Sequence, residues 1–431
     1  MKKLCIFLTY NKENEIYKYI ENTLKSLKEY CFKVIMVCNY EKVNLGLEYV
    51  SPWVDNIYYR TNKGYDSGAY KDALCSFLGW DEVYKYDELI LVNDSFFGFF
   101  YPLKDSFQLM DKEKCDFWGM TGQAAGEYKA PFYSFDEHVH SYFMVFKKNV
   151  LKSKAFKSFW EEFTYPTSFR EAIVKFELGI NVSLKKNGFI GKSFIDIYKI
   201  KLKSNENPCY SHVYELVRNY KIPMMKKKCV LIRNIGFVDT LRTIQYLKDE
   251  NLYPTDWMIT CLENQFYIPG IGVKPCNSLE LFYKKYSTIY IYGAGVCGKN
   301  LAVYFAYKHW SYKGFIVTDV KANHYIDVYC DTNINDLTAI NVNDLTTVNI
   351  NNNVTENIAL NNRKRVIPIS IQEAEINPDT GIIISVIHSK VAREIENIIA
   401  KNLDHRYHRD QLFFLSACSA IKMPDDKEGN Y

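Results

Sequence analysis

The sequence lacks the long apolar runs that membrane-spanning helices need. No apolar stretch approaches the ~20 residues of a transmembrane helix. Met1-Lys2-Lys3 and the apolar residues 4–8 briefly resemble a signal peptide, but the run is too short and no small-residue cleavage site follows it. We therefore interpret residues 4–8 as a first β-strand. We expect a cytoplasmic protein, and leave open a peripheral contact with the inner face of the cell membrane.

Paired cysteines and a charge of one sign are also missing. The 12 cysteines contain no Cys-x-x-Cys motif, which argues against a zinc site and a disulfide framework. Reduced thiols in the cytoplasm are the simplest interpretation. The net charge of +4 is nearly balanced and does not indicate a nucleic-acid partner. The clearest basic run, Lys226-Lys227-Lys228, predicts a solvated surface or a contact with anionic lipids.

The length of 431 residues exceeds one ordinary core, so two or three domains are expected. Apolar runs alternate with helical stretches in the first half, which predicts α/β units. We predict one α/β domain at 1–270 and a smaller α/β domain at 280–420, with a linker at Pro269-Gly270-Ile271-Gly272. The Asn- and Thr-rich residues 331–362 are predicted to form a low-complexity insertion without chemistry.

Asn93-Asp94-Ser95 is the most informative short stretch, because it follows the apolar run 89–92. In open α/β sheets, ligands bind outside the carboxyl ends of the strands. A carboxylate at that edge can hold a divalent cation, and the cation can neutralise a diphosphate. An Asx-type turn that simply ends the strand is the alternative interpretation.

A second informative stretch lies between a predicted strand, 288–292, and a predicted helix from 299 to about 309. Gly293, Gly295 and Gly298 form a Gly-x-Gly-x-x-Gly pattern there, and Asp319 follows about 20 residues further on. The loop amides would bind a phosphate at the helix N-terminus, and Asp319 a ribose hydroxyl. The pattern predicts a Rossmann-like domain, and leaves open whether that domain holds NAD(P).

Five motifs occur in the first half in a consistent order: NKGYDSGAY at 62–70, LVNDS at 91–95, DFWGMT at 116–121, HVHSYF at 138–143 and FELG at 176–179. Over roughly residues 1–265 they resemble the rhamnan synthesis protein F family. That family comprises bacterial glycosyltransferases that build rhamnose-containing cell-wall or lipopolysaccharide O-antigen chains. The sequence departs from the family pattern at His140, where Gln is common, and at Phe99, where Pro usually follows the glycine.

The resemblance implies a GT-A-like fold and sugar transfer from a nucleotide-sugar donor to a glycan or lipid-linked glycan. It implies that Asp94 replaces the metal-binding Asp-x-Asp motif and holds Mg²⁺ or Mn²⁺. Glu177 would be the catalytic base of an inverting reaction, with Glu171 and Asp136 as alternatives. The expected donor is dTDP-L-rhamnose. Two other functions stay open: a module without activity, and an NAD(P)-dependent oxidoreductase or epimerase, for which Tyr304 and Lys308 have the spacing of a catalytic pair.

The resemblance also implies which side chains meet the two substrates. Asp66 has an alternative role as a helix cap, Trp118 as a core residue and His212 as a surface residue rather than a helper of the metal. The residues expected to bind the donor are Thr9, Tyr10, Asn62, Gly64, Asp66, Asn93 and Ser95. Those expected to bind the acceptor are Trp118, His138, Ser141 and Tyr142.

Overall fold

A computed structural model describes residues 1–11, 14–129, 132–200, 206–263, 265–267, 278–318, 326–329, 363–366, 368–386, 389–403 and 411–415. The chain forms two compact units, of which the first includes Met1–Lys227 and the second is Lys228–Ile421. The predicted linker at 269–272, the predicted insertion at 331–362 and Asp319 lie outside the described residues.

The first unit alternates short strands and helices. Its strands are β1 (Lys3–Thr9), β2 (Lys33–Cys38), β3 (Asn56–Tyr59), β4 (Glu88–Asn93), β5 (Phe96–Gly98), β6 (Phe117–Gly119), β7 (Gly122–Gln123), β8 (Gly126–Lys129), β9 (Phe132–Phe135), β10 (His138–Val139), β11 (Phe143–Lys147), β12 (Gly191–Ser193) and β13 (Met224–Lys226). Its α-helices are α1 (Tyr19–Tyr30), α2 (Leu47–Val50), α3 (Tyr65–Asp72), α4 (Trp80–Val83), α5 (Leu103–Lys112), α6 (Lys148–Leu151), α7 (Lys154–Glu162), α8 (Phe169–Ala172), α9 (Gly179–Lys186), α10 (Pro208–Ser211) and α11 (Val213–Arg218).

A seven-stranded sheet organises this unit, in the order β12-β6-β11-β4-β1-β2-β3. All neighbours are parallel except β11, which runs antiparallel to both β4 and β6. Every residue of β1 and β4 is buried, as expected for parallel strands covered on both faces. Side chains of α3, α7 and α9 pack with Leu4, Ile6 and Leu8 of β1 into one core. The sheet confirms the predicted α/β fold class.

A small antiparallel pair lies next to the main sheet. β13 pairs with β5, and Lys226 is placed opposite Phe96. The two strands approach closely at Gly98, where a Cβ atom would lie 2.9 Å from the carbonyl oxygen of Pro223. Glycine at this position therefore lets the backbone of β13 reach β5.

The segment that carries Glu177 is helical but is not uniform. α8 runs into a π-helical turn, Ile173–Leu178, and then into α9. Gly188 has a φ of 82°, the left-handed conformation that commonly follows the last turn of a helix. π-helical turns are rare and frequently occur at functional sites, and this turn carries Glu177.

The second unit contains a five-stranded sheet in the order β14-β20-β19-β15-β16, in which β15 is parallel to both of its neighbours. Its strands are β14 (Phe266–Tyr267), β15 (Thr288–Tyr292), β16 (Gly314–Ile316), β17 (Ile326–Tyr329), β18 (Arg363–Val366), β19 (Thr380–Ile384) and β20 (Leu412–Leu415). Its α-helices are α12 (Phe237–Asp249), α13 (Asp256–Glu263), α14 (Ser278–Lys285), α15 (Val296–Tyr307) and α16 (Ser389–Leu403). Among the helices described in either unit, none has the length and hydropathy needed to span a bilayer.

The division between the units falls earlier in the chain than the predicted boundary at 270–280. The segment that contains α12 and α13 belongs to the second unit. Asn300 of α15 explains part of this, because its side-chain amide donates to the carbonyl oxygens of Ile232 at 2.6 Å and Asn234 at 2.9 Å. These bonds satisfy backbone groups that would otherwise be buried without partners.

Candidate functional site

Polar side chains meet at the carboxyl ends of β1 and β4, as the motif at Asn93 predicts. The hydroxyl of Thr9 donates to Oδ2 of Asp94 at 2.8 Å. The amide of Asn93 donates to Oδ2 of Asp66 at 2.6 Å. Oδ1 of Asn93 accepts from the backbone N–H of Ser95 at 3.1 Å and from its hydroxyl at 2.5 Å. The Asx turn therefore exists, and it also fixes Asp94 at the sheet edge.

Asp66 reaches this edge because Gly64 starts α3 in the left-handed conformation. The φ of Gly64 is 78°, and a Cβ atom there would lie 2.9 Å from the Tyr165 side chain. No side chain caps the amino terminus of α3, so Asp66 binds Asn93 rather than its own helix. Burial raises the pKa of Asp66 to about 6, and the charge of Asp94 adds to the increase, although the bond from Asn93 opposes it.

The raised pKa of Asp66 predicts a pH dependence of stability. The folded pKa of about 6 exceeds the ordinary value of 3.8, so the folded protein binds more protons between these values. The stabilisation is complete below about pH 4 and is lost as the pH rises through 6, on the order of 3 kcal/mol in total. Urea unfolding at pH 4, 5, 6 and 7 should show this loss in the wild type relative to Asp66→Asn. Parallel pH profiles of the two proteins would contradict the prediction.

Two lysines join the edge from β13 and from the residue that follows it. Nζ of Lys226 donates to the hydroxyl of Ser95 at 2.6 Å. Nζ of Lys227 lies 3.7 Å from Oδ2 of Asp94, and the two side chains are only 14% and 15% exposed. The prediction of a solvated surface is therefore wrong for Lys226 and Lys227. The sequence shows the basic run but not its position in the fold, because the pairing of β13 with β5 brings these lysines to Ser95.

Glu177 is held in one orientation beside this edge. Its Oε2 accepts from the backbone N–H of Ser141 at 2.8 Å and from the Ser141 hydroxyl at 2.7 Å. Its Oε1 lies 3.9 Å from Nε2 of His138. Burial raises the pKa of Glu177, but the charges of His140 and His138 and the two bonds from Ser141 outweigh burial and lower it. The side chain is therefore a carboxylate at neutral pH.

The two histidines are anchored through their Nδ1 atoms. Nδ1 of His138 donates to the carbonyl oxygen of Asp136 at 2.9 Å, and Nδ1 of His140 lies 2.8 Å from the Thr121 hydroxyl. Burial lowers the pKa of His140 to about 4, against the opposing charge of Glu177. His138, His140 and Glu177 could hold a metal ion, since one ligand atom from each lies within 4.8 Å of the others. Such a nitrogen-rich set suits zinc better than magnesium.

The residues predicted to bind the acceptor do not all face the site. Trp118 is fully buried, with its ring centroid 4.9 Å from that of Phe107 in an edge-on contact. It is a core residue, and its predicted role on the acceptor side is wrong. His138, Ser141 and Tyr142 do lie together near Glu177, and the Tyr142 hydroxyl is 2.9 Å from the Thr121 hydroxyl.

The alternative bases and His212 have other partners. Glu171 accepts from the backbone N–H of Thr167 at 2.6 Å and forms an ion pair with Lys175. Asp136 contributes its carbonyl oxygen to His138, and its side chain is exposed. Nδ1 of His212 lies 2.8 Å from the Ser211 hydroxyl. None of these contacts involves Asp94.

A cavity of about 120 Å³ connects the two parts of the site. It is smaller than the ~300–1,000 Å³ of most ligand pockets, so it would enclose one portion of a nucleotide sugar. Thr9 and Gly64, which were also expected to bind the donor, are not among its lining residues. The lining residues are Tyr10, Asn39, Asn62, Tyr65, Asp66, Ser67, Asn93, Asp94, Ser95, Ser141, Phe169, Ala172, Ile173 and Phe176.

The Gly-rich loop of the second unit has the expected strand–loop–helix context. Gly293 has a φ of 104°, and a Cβ atom on Gly298 would lie 1.9 Å from the Gly293 carbonyl oxygen. Both positions therefore require glycine. α15 begins directly after Gly295. Dinucleotide binding at this loop stays a prediction.

Tyr304 and Lys308 have a structural role in the second unit. The buried Tyr304 donates its hydroxyl hydrogen to Oε1 of Glu263 at 2.5 Å, and Nζ of Lys308 lies 3.4 Å from the same oxygen. Both side chains therefore interact with Glu263 and have a structural role. This arrangement gives no support to the oxidoreductase or epimerase alternative.

The first unit is an α/β domain with polar groups gathered at the carboxyl edge of a mostly parallel sheet, the edge at which such sheets bind ligands. The chain belongs to the rhamnan synthesis protein F family, whose model matches residues 34–290. The match confirms the resemblance that the five motifs indicate. Membership of this family identifies the protein as a glycosyltransferase of polysaccharide synthesis.

Several solved structures are similar to parts of the chain. Core-mannan synthase A from Aspergillus fumigatus, in its Mn/GDP form, is 10% identical over 43% of this chain and 69% of its own, with a TM-score of 0.24. TarS (residues 1–349) of S. aureus is 13% identical over 61% and 70%, with a TM-score of 0.29. 4-Diphosphocytidyl-2C-methyl-D-erythritol synthase from Anaerococcus prevotii is 10% identical over 49% and 97%, with a TM-score of 0.29. With TM-scores below 0.3, these similarities do not assign a substrate or a metal to this chain. No curated protein sequence matches it.

Proposed function

We propose that the protein transfers L-rhamnose from dTDP-L-rhamnose, with inversion at the anomeric carbon, onto a growing bacterial cell-surface polysaccharide. The observation that carries the proposal is the position of Ser141. This residue binds the Glu177 carboxylate and also lines the cavity that contains Asp94. The proposed base is therefore linked through Ser141 to the cavity that the polar sheet edge lines. The choice of rhamnose follows from the family and not from a pocket residue.

The proposed reaction uses Oε1 of Glu177, the carboxylate oxygen that Ser141 does not bind. Oε2 is occupied by two hydrogen bonds from Ser141, which leaves Oε1 to accept a proton. The acceptor hydroxyl attacks the anomeric carbon and gives its proton to Oε1 as the bond from that carbon to the diphosphate oxygen breaks. The lowered pKa of Glu177 keeps the base ionised at neutral pH. Attack from the face opposite the leaving group inverts the configuration.

The proposed substrate positions follow the residues around the cavity. The nucleoside would lie near Tyr10, Asn62 and Asp66, and the diphosphate near Asp94 and Ser95. The acceptor, a glycan or a lipid-linked glycan, would approach the Glu177 side. A lipid-linked acceptor would bring the protein to the inner face of the membrane without a basic run of its own, since Lys226 and Lys227 belong to the site.

Asp94→Ala tests the donor site. Because this carboxylate fixes both Thr9 and Lys227, we expect the variant to bind the donor at least about tenfold more weakly and to lose most transfer. Thermal stabilisation by a panel of nucleotide sugars and NAD(P)(H), with and without Mn²⁺, measures binding. The matched control is Asp87→Ala, because Asp87 lies at the amino end of β4 and is paired with Lys148.

The same panel of ligands distinguishes a glycosyltransferase from an NAD(P)-dependent enzyme. A shift with a dTDP-sugar that Asp94→Ala abolishes and Asp87→Ala retains supports the proposal. A shift with NAD(H) alone, lost when Gly295 is changed, would move the function to the second unit and contradict it.

A further inference from the structure

We propose that Lys226 and Lys227 bind the donor's diphosphate and neutralise it, so that transfer needs no divalent cation at Asp94. The inference rests on the proposed function, because it assigns the charge that stabilises the same leaving group. It differs from the expectation that Asp94 holds Mg²⁺ or Mn²⁺.

The position of the two ammonium groups is the first argument. Both approach the Asn93-Asp94-Ser95 turn, where the diphosphate is placed, at 2.6 Å from Ser95 and 3.7 Å from Asp94. Their formal charge of +2 offsets the −1 of Asp94 and, at neutral pH, the −1 of Asp66, which its bond from Asn93 holds at the same edge. The two ammonium groups at the turn would attract a diphosphate, and lysine is a common phosphate ligand.

The aromatic surroundings are the second argument. Nζ of Lys226 lies 4.1 Å from the centroid of the Tyr142 ring, and Nζ of Lys227 lies 4.6 Å from that of Tyr19. These rings attract the ammonium groups and keep the side chains at the sheet edge instead of in solvent. The lysines are therefore held in place before a ligand arrives, which lowers the entropic cost of binding an anion.

The fit of a divalent cation is the third argument. Mg²⁺ demands about six oxygen ligands in near-octahedral geometry. Oδ2 of Asp94 already accepts from Thr9 and faces Lys227, and the hydroxyl of Ser95 already accepts from Lys226. A divalent cation at Asp94 would have two ammonium groups as neighbours, and Asp66, the other carboxylate of this edge, already accepts from Asn93. The residues at Asp94 do not fit this ion. The role left for Asp94 is to position Lys227.

Isothermal titration of the full chain tests the inference, with inorganic pyrophosphate, dTDP, UDP and GDP as probes. Each probe is titrated in EDTA and again in MnCl₂. We expect binding of pyrophosphate and of at least one nucleoside diphosphate in EDTA, with little gain from Mn²⁺. Lys226→Met and Lys227→Met should each weaken binding about 10- to 100-fold, as for the loss of a hydrogen bond to a charged group.

Two controls separate charge from folding. Lys85→Met removes the same charge from an exposed side chain that pairs with Glu82, and should bind the probes as the wild type does. Lys226→Arg and Lys227→Arg retain the charge and should recover most of the affinity. If the Met variants unfold, the comparison of EDTA and MnCl₂ on the wild type still decides the question.

The outcomes are distinct. Binding that requires Mn²⁺ and is unchanged in folded Met variants overturns this inference but leaves the proposed function intact. A wild type that binds none of the diphosphates in either buffer overturns both. Binding in EDTA that the Met variants lose supports both.

Discussion

Glu177→Gln is expected to lower kcat by about 10² or more, the usual range for the loss of a general base. Glutamine retains the shape of the side chain and can still accept from Ser141, so the π-helical turn should be undisturbed. The amide cannot take the proton of the acceptor hydroxyl. Donor affinity should change by less than about twofold, because the proposed position of the diphosphate is at Asp94 and not at Glu177. Steady-state kinetics and donor titration measure the two quantities.

Glu171→Gln is the matched control for that experiment. This side chain is on the same helical segment but is paired with Lys175 and hydrogen-bonded to Thr167, so turnover should be near the wild-type value. The wild-type kcat should fall only at acidic pH, because the pKa of Glu177 is lowered. Unchanged turnover in Glu177→Gln would remove the residue from the mechanism.

The group formed by His138, His140 and Glu177 offers a second explanation that the same series can separate. If Glu177 acted as a metal ligand, chelation of the wild type would reduce kcat as strongly as the substitution does. If Glu177 acts as the base, EDTA should leave kcat unchanged while Glu177→Gln lowers it.

Glu88→Ala should reduce the free energy of unfolding by about 3–5 kcal/mol, the cost of leaving a buried charge without its partner. Glu88 at the start of β4 forms an ion pair with Lys3 of β1, and the two side chains are 2% and 6% exposed. Nζ of Lys3 is otherwise surrounded by the rings of Phe107 at 4.7 Å and Tyr30 at 5.2 Å. Removal of Glu88 would leave the ammonium among these rings without a counter-charge.

Urea unfolding measures this effect, and an exposed ion pair supplies its control. Glu113 and Lys192 are 49% and 42% exposed, so Glu113→Ala should cost less than about 1 kcal/mol. The double variant Lys3→Met, Glu88→Leu should recover most of the lost stability, because no charge is then buried. Equal effects of Glu88→Ala and Glu113→Ala would contradict the prediction.

The central strands could be predicted from sequence because buried parallel strands are continuous apolar runs. β15 has the predicted bounds, and β1 and β4 each extend the predicted apolar run by one residue at either end. The turn after β4 was predictable for the same reason, since a polar residue at the end of a buried strand lies at the sheet edge.

The rest of the site depends on contacts that sequence patterns do not encode. β5 and β13 have three residues each and lie more than 100 residues apart, so no periodicity indicates that they pair. Trp118 illustrates the opposite error, because an aromatic residue in a motif can serve the core as well as a ligand. The π-helical turn at Glu177 differs from an α-helix by one hydrogen-bond step, which residue spacing does not reveal.

The pairing of β5 with β13 also constrains how the chain can be shortened. All five family motifs end by residue 179, and the seven-stranded sheet is complete at Ser193. A fragment that stopped at residue 222 would therefore retain every recognisable motif and the whole main sheet. It would nevertheless lack both ammonium groups at the sheet edge, which follow at 226 and 227. If the two lysines have the proposed role, the minimal catalytic fragment must extend through a short strand that lies beyond all five motifs.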